Sequence, residues 1–370
     1  MAATGTSQWL FPVSAIVDAT PSRTTSSISV EKELYDRARG VEFLFRLGVT
    51  LVLPSSAMYT AATWFHRFYM RYSMEDYHRQ DVAAACIFLA TKTEECGRKL
   101  RDVAKVYCAK VYGRKNVDEI PDDSKEVLES QAAILLTEEV LLEALCFDFI
   151  VPTPHSDLVD LFDAQPEAAA QLEEFAWSIA NDSYRTPLCV LYPPRIIAAA
   201  CYILAQQYLD TPVGLSLAAR ISSPAPSASL PTPPSHKPAY PESTRFAVNF
   251  FKFNEMELAS LSEALTILLE FYAAQDTRSS VEWVAPIASI TPPEPTTRRG
   301  KLYQPFTVMA QGAPRAQSQS ATVDTPSAEH PDVATVDEAS TSPKSAGKGW
   351  IPIRGEVDTP EEPPQRLGQS

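Results

Sequence analysis

One apolar run constrains the fold of this chain more than any other feature. Val82–Ala90 carries no polar side over several helical turns and includes four alanines. A helix that is hydrophobic all round must be surrounded by other helices, and small side chains let its neighbours approach closely. The run therefore predicts the central helix of a bundle, extending over Asp81–Glu95.

The segments on either side of this run also have helical periodicity. Apolar residues recur at helical spacing in four of them, Glu33–Gly48, Ala57–Phe68, Lys99–Val111 and about Ser124–Phe147. Gly48, Gly113 and Pro152 supply the stops. Alternation of β-branched residues is scarce. The sequence thus predicts an all-α bundle over 31–151, preceded by an N-terminal arm at 1–30.

A second helical block is predicted over 152–275. Its helix Pro193–Leu209 has the same alanine-rich centre as the first central helix, which hints at an internal repeat of two bundles. Proline- and serine-rich sequence at about 216–244 predicts a low-complexity insertion. Proline, serine, threonine and acidic residues dominate 276–370, so this stretch is predicted to be a disordered tail.

Composition excludes several classes of function. The formal net charge of −14 argues against strong direct binding to nucleic acid or acidic membranes. None of the six cysteines form a CxxC pair, so we expect reduced thiols and no metal site or cofactor. No signal sequence or membrane span is expected. Kinase and phosphate-loop signatures are absent from the sequence, which favours a binding protein over an enzyme.

Several sequence motifs resemble those of one family in the same order. Trp9-Leu10-Phe11 and Thr20-Pro21-Ser22-Arg23 resemble the entry of transcriptional cyclins, and His66–Met70 looks like the end of their second helix. Phe88–Glu95 with Arg98-Lys99-Leu100 resembles a helix junction of cyclins T and K, and Glu138–Phe147 is similar to their fifth helix. The resemblance spans about residues 8–275 and implies tandem cyclin-box five-helix bundles.

The resemblance also implies a function. Cyclins are non-catalytic subunits that bind and activate a cyclin-dependent Ser/Thr kinase as a heterodimer. T- and K-type members act in the nucleus with kinases of the RNA polymerase II C-terminal domain, so the polymerase machinery is a further expected partner. The positions that grip the kinase match Lys92 and Glu138, and further interface positions match Glu95 and Phe147. Phe147 could instead belong to the core.

Two further questions stay open in the sequence. Arg98, Lys99, Arg101 and Lys105 make the fourth helix basic, which fits either a docking patch or a solvated face with ion pairs to neighbours. The kinase could also be a splicing or Mediator kinase, as for cyclins L and C. A cyclin-fold initiation scaffold is a weaker alternative, because residues 1–30 contain no cysteine for a zinc ribbon.

Overall fold

A computed structural model describes residues 8–166, 168–210, 216–221, 242–276, 283–293 and 299–311. Within these ranges the chain is helical and contains no strand, which confirms the predicted all-α class. All six cysteines are free thiols. No helix in the described ranges combines the length and apolarity needed to cross a bilayer.

The first bundle has five helices around a buried centre. They are α1 (Val30–Thr50), α2 (Ser55–Phe68), α3 (Arg79–Thr93), α4 (Leu100–Val111) and α5 (Lys125–Ala144). Every residue of α3 from Val82 to Thr91 is buried, and the helix packs against all four others. The apolar run is therefore the central helix, as predicted. Serine side chains start two of the helices: Ser29 accepts from the Lys32 N–H, and Ser124 accepts from the Val127 N–H.

A second bundle follows. Its long helices are α6 (Pro154–Asp163), α7 (Ala170–Ser183), α8 (Pro194–Leu209) and α9 (Glu255–Ala274). All residues of α8 from Ile196 to Gln206 are buried, so α8 repeats the role of α3. A capping box starts α9, in which Asn254 and Glu257 each bind the other's backbone N–H at 3.0 Å.

Helix α1 contributes to the cores of both bundles. Leu34 and Ala38 pack in the core of the second bundle, whereas Val41 and Leu44 pack in the core of the first. The N-terminal arm adds Ile16 to the second core. The two bundles are therefore joined by shared apolar packing as well as by the chain.

A buried ion pair lies within α1, beside this shared packing. Arg37 is fully buried and binds Glu33 Oε1 through Nε at 2.9 Å and Nη2 at 2.7 Å. The same guanidinium donates to the carbonyls of His66 and Tyr69, at 3.1 and 2.8 Å. Thr20 donates to the second oxygen of Glu33 at 2.6 Å. The arm, α1 and the end of α2 are thus fixed to one another by hydrogen bonds to charged groups.

Stacked rings form a second link between the bundles. Tyr59 of α2 stacks on His155 of α6 at 4.1 Å and on Tyr184 at 4.9 Å. Asn181 Oδ1 lies 2.5 Å from the Tyr59 hydroxyl, which donates to it, and 3.1 Å from His155 Nε2. Burial lowers the pKa of His155 to about 4. The imidazole is consequently neutral in the folded protein at physiological pH.

Parts of the predicted insertion and tail are helical where the structure describes them. At the start of the insertion a short helix, Leu217–Ile221, buries Leu217 and places Arg220 2.8 Å from Asp210. Residues 222–241 of the insertion lie outside the described residues.

Within 276–370, Val284–Ala288 and Phe306–Gln311 are helical. Arg299 binds Glu263 and Glu270 of α9 at 3.3 and 3.1 Å. These segments pack on the second bundle because Ile287, Leu302 and Tyr303 find apolar partners there, which a composition argument does not detect. Residues 312–370 lie outside the described residues.

Candidate functional site

Lys92 and Glu138 meet on the surface between α3 and α5. Lys92 Nζ lies 2.6 Å from Glu138 Oε1 and 2.8 Å from Oε2. The Lys92 side chain is 47% exposed, whereas that of Glu138 is 8% exposed. Nζ also lies 4.1 Å from the centre of the Phe88 ring. The carboxylate holds the ammonium in place, and the exposed side of the ammonium can still donate to acceptors on another molecule.

The turn after α3 presents Glu95 to solvent. Glu95 has a φ of +54°, a left-handed conformation that costs a non-glycine residue about 1–3 kcal/mol. The neighbouring Glu94 accepts a hydrogen bond from Thr60 at 2.8 Å, which ties the turn to α2. Glu95 is therefore exposed on a well-anchored turn, three residues after Lys92 in the chain.

Phe147 lies outside the core. Cys146 and Phe147 have φ values of +52° and +57°, and their turn ends α5 with a hydrogen bond from the Phe147 N–H to the Leu142 carbonyl at 3.1 Å. The Phe147 ring is 63% exposed and touches Phe149 edge-on at 6.3 Å. Ile150, three residues later, is 81% exposed. The core alternative for Phe147 is thereby excluded.

An exposed apolar stripe on α5 was not detected in the sequence. It consists of Leu128, Ala132, Leu135 and Leu136, which share one side of the helix by their spacing. The three leucines are 54%, 47% and 66% exposed. Helix α5 buries a different apolar side, with Ile134 and Leu141 in the core. A helix with two apolar sides needs a second partner. The second apolar side of α5 was therefore the sequence signal from which the stripe could have been predicted.

The basic residues just before and within α4 are largely engaged within the chain. Arg98 donates to the carbonyls of Leu51 and Val52 at 2.9 and 2.8 Å, and so caps the end of α1.

Arg101 and Lys105 both pair with Asp122, at 2.7 and 2.9 Å. The hydrogen bond from Lys105 is the main cause of a lowered pKa at Asp122. Of the four predicted patch residues, Lys99 alone has no such partner in the described part of the chain. These contacts favour the ion-paired surface over the docking patch.

The described residues hold no group of three or more His, Cys, Asp or Glu side chains arranged to bind a metal. A cleft lies elsewhere, between the arm and the two bundles. The Lys92–Glu138 pair, Glu95, the α5 stripe and Phe147, which lie on α3, α5 and the turns that follow them, offer exposed charged and apolar groups to a protein partner.

Comparison with known proteins agrees with the sequence motifs. Residues 17–150 match the model of the cyclin N-terminal domain. Cyclin pch1 of Schizosaccharomyces pombe is 42% identical over 200 residues, which cover 54% of this chain and 58% of that protein. Cyclin-T1-4 of Arabidopsis thaliana is 36% identical over 203 residues, 55% of this chain and 37% of the relative.

Cyclin-K of Danio rerio is 32% identical over 189 residues, 50% of this chain and 42% of the relative. The aligned part thus spans between 37% and 58% of the length of these relatives. Lys92, Glu95, Glu138 and Phe147 all fall within the matched family domain. Residues 17–150 thus match the cyclin N-terminal domain, and the chain is similar to cyclins over about half of its length.

Proposed function

We propose that this chain is the non-catalytic regulatory subunit of a nuclear cyclin-dependent kinase that phosphorylates the C-terminal domain of RNA polymerase II. The observation that carries the proposal is the half-exposed Lys92–Glu138 pair beside the apolar α5 stripe. The match to the cyclin N-terminal domain and the similarity to cyclins pch1, T1-4 and K support the kinase as partner and the nucleus as location.

The chemistry of the surface fits a helix as its ligand. Lys92 can donate to the free carbonyls that end a helix, and a cation there is favoured by the helix dipole. The acidic Glu95 and Glu138 can accept from donors on the docked partner. The α5 stripe offers leucine side chains at helical spacing, and their burial against the partner supplies the apolar part of the binding energy.

Binding at this surface would activate the kinase by moving its regulatory helix. A docked regulatory helix is pressed towards the kinase active site, where its glutamate completes an ion pair with the catalytic lysine. The same movement would order the activation segment of the kinase. The second bundle, over 152–275, would serve as a second cyclin box that shares the core residues of α1.

The test is purification of the tagged full chain, mass spectrometry of what accompanies it, and a kinase assay on a polymerase-tail peptide. Lys92→Glu places a carboxylate beside Glu138 and should abolish both the co-purifying kinase and the activity. Lys301→Glu is the matched control, because Lys301 is an exposed lysine outside the proposed surface, and it should change neither.

A splicing or Mediator kinase in the eluate, inactive on the polymerase peptide, would correct the substrate while leaving the kinase partnership intact. Polymerase and initiation factors without any kinase would overturn the proposal in favour of a scaffold.

A further inference from the structure

A cleft of about 390 Å³ opens between the N-terminal arm, α2 and the start of α8. Aromatic and proline side chains form much of its wall, with Trp9, Pro154, Tyr192 and Pro194 among them. Its volume lies at the lower end of the ~300–1,000 Å³ typical of ligand pockets. None of its lining residues belongs to the proposed kinase-binding surface, so the cleft is a separate feature.

Arg67 brings a charge to this apolar cleft. The residue is 4% exposed, and its guanidinium lies 4.8 Å from the centre of the Trp9 ring. Its two terminal nitrogens make only long contacts, 3.4 Å to the Asp148 carbonyl and 3.3 Å to the Ile150 carbonyl. Its Nε has no hydrogen-bond acceptor among the described residues.

A buried donor of this kind normally has a partner, because leaving it unpaired is costly. Arg67 therefore points to a ligand that supplies an oxygen acceptor.

A second cation lies at the rim. Arg195 lines the cleft, is 45% exposed, and forms an ion pair with Glu257 of α9. Two arginines flank an apolar wall in a chain whose net charge is −14. By charge complementarity, the ligand should combine a bulky apolar side chain with carboxylates close to it in sequence.

One segment of this chain, outside the described residues, has that composition. Trp350-Ile351-Pro352-Ile353 is followed by Arg354 and then by four acidic residues, Glu356, Asp358, Glu361 and Glu362. Trp350 is the sole aromatic residue in 312–370. The tether from Gln311 to Trp350 is 39 residues, and a coil of that length has a root-mean-square span of about 35 Å. Such a span covers a distance comparable with the size of one bundle.

We propose that residues 350–353 bind in this cleft of the same chain. The Trp350 indole enters between Trp9, Tyr192 and Pro194, and a backbone or side-chain oxygen of the segment accepts from Arg67. The carboxylates that follow lie near Arg195. Tethering makes the contact intramolecular, so a weak intrinsic affinity suffices to fill the site.

Hydrogen–deuterium exchange on the full chain tests the proposal. Trp350→Ala should raise exchange about tenfold in the backbone of residues 8–11 and 186–192, because the segment no longer covers the cleft. Val336→Ala removes an apolar side chain elsewhere in the same stretch and should leave exchange unchanged. A dye-labelled peptide of residues 347–364 should bind the Trp350→Ala chain about tenfold more tightly than wild type, in which the chain's own segment competes.

Equal exchange in wild type and Trp350→Ala, together with no binding of the peptide to either chain, would overturn the proposal. Protection that rises with protein concentration, with dimers seen by light scattering, would also overturn it, because the segment would then occupy a second copy. Both results are independent of kinase binding, so they leave the proposed function to its own test.

Discussion

Removal of the Glu33 carboxylate probes the buried hydrogen-bond network that ties the arm and the end of α2 to α1. In Glu33→Ala the Arg37 guanidinium stays fully buried, yet it loses both contacts to Glu33 Oε1, and Thr20 loses its acceptor. Leaving one member of a buried ion pair uncompensated costs about 3–5 kcal/mol. We therefore expect the free energy of unfolding to fall by about that amount, a large fraction of the ~5–15 kcal/mol typical of a folded protein.

Urea unfolding followed by circular dichroism measures this loss. Glu129→Ala is the control, because Glu129 is 66% exposed and pairs with Lys125 across one helical turn at 3.6 Å. An exposed pair at this spacing contributes about 0.3–0.5 kcal/mol. The double variant Glu33→Leu with Arg37→Met removes both buried charges and should recover much of the loss. If Glu33→Ala cost no more than Glu129→Ala, the argument that this pair fixes the arm and the end of α2 to α1 would be refuted.

Three further predictions concern pH, close packing and the cap of α1. The unfolded chain binds a proton at His155 below the ordinary pKa of 6.5, but the folded chain binds it only near 4, so stability present above pH 6.5 is lost as the pH falls towards 4. Unfolding titrations should show that His155→Phe loses less stability over that window than wild type does, by about 1.4 kcal/mol per pH unit. Identical slopes of unfolding free energy against pH in the two chains would contradict the burial of a neutral imidazole. Gly40→Ala places a Cβ closer to the Phe65 ring than van der Waals contact allows, and should destabilise the fold by about 1–3 kcal/mol. Thermal melts measure this loss, and an unchanged melting temperature would show that α1 and α2 can separate freely. Arg98→Ala removes the donors to the Leu51 and Val52 carbonyls, just past the end of α1, and should cost about 1.5–3 kcal/mol. Lys99→Ala should stay within about 0.5 kcal/mol, and equal effects would restore the docking-patch interpretation.

The helices of the first bundle could be predicted from the sequence because their signals are local. The run Val82–Ala90 has no polar side, and that alone places α3 at the centre. Caps and stops such as Ser124 and Gly113 lie within a few residues of the ends they set. Lys92 and Glu138 were singled out by the resemblance to cyclin motifs and not by spacing, and the structure brings the two side chains together.

Features that depend on distant partners could not be predicted in this way. The sequence presents Arg98 as a surface charge, whereas in the structure it binds a carbonyl at the end of α1. The sequence presents Arg299 as part of a polar tail, whereas in the structure it pairs with Glu263 and Glu270. The buried Glu33–Arg37 pair looks like an ordinary exposed pair one turn apart. In each case the decisive quantity is burial by residues remote in sequence.

The α5 stripe tests the central claim most directly. Leu136→Asp puts a charge on the stripe at a side chain that is 66% exposed, so the fold should tolerate it. Met256→Asp is the matched control, because Met256 is 81% exposed on α9 of the second bundle. The measurement is the affinity of each purified full chain for the kinase that co-purifies with wild type.

We predict that Leu136→Asp weakens binding at least about tenfold, since a buried charge opposite an apolar partner costs well over 1.4 kcal/mol. Met256→Asp should bind as wild type does. Equal affinity of all three chains would contradict a kinase-binding surface formed by α3 and α5.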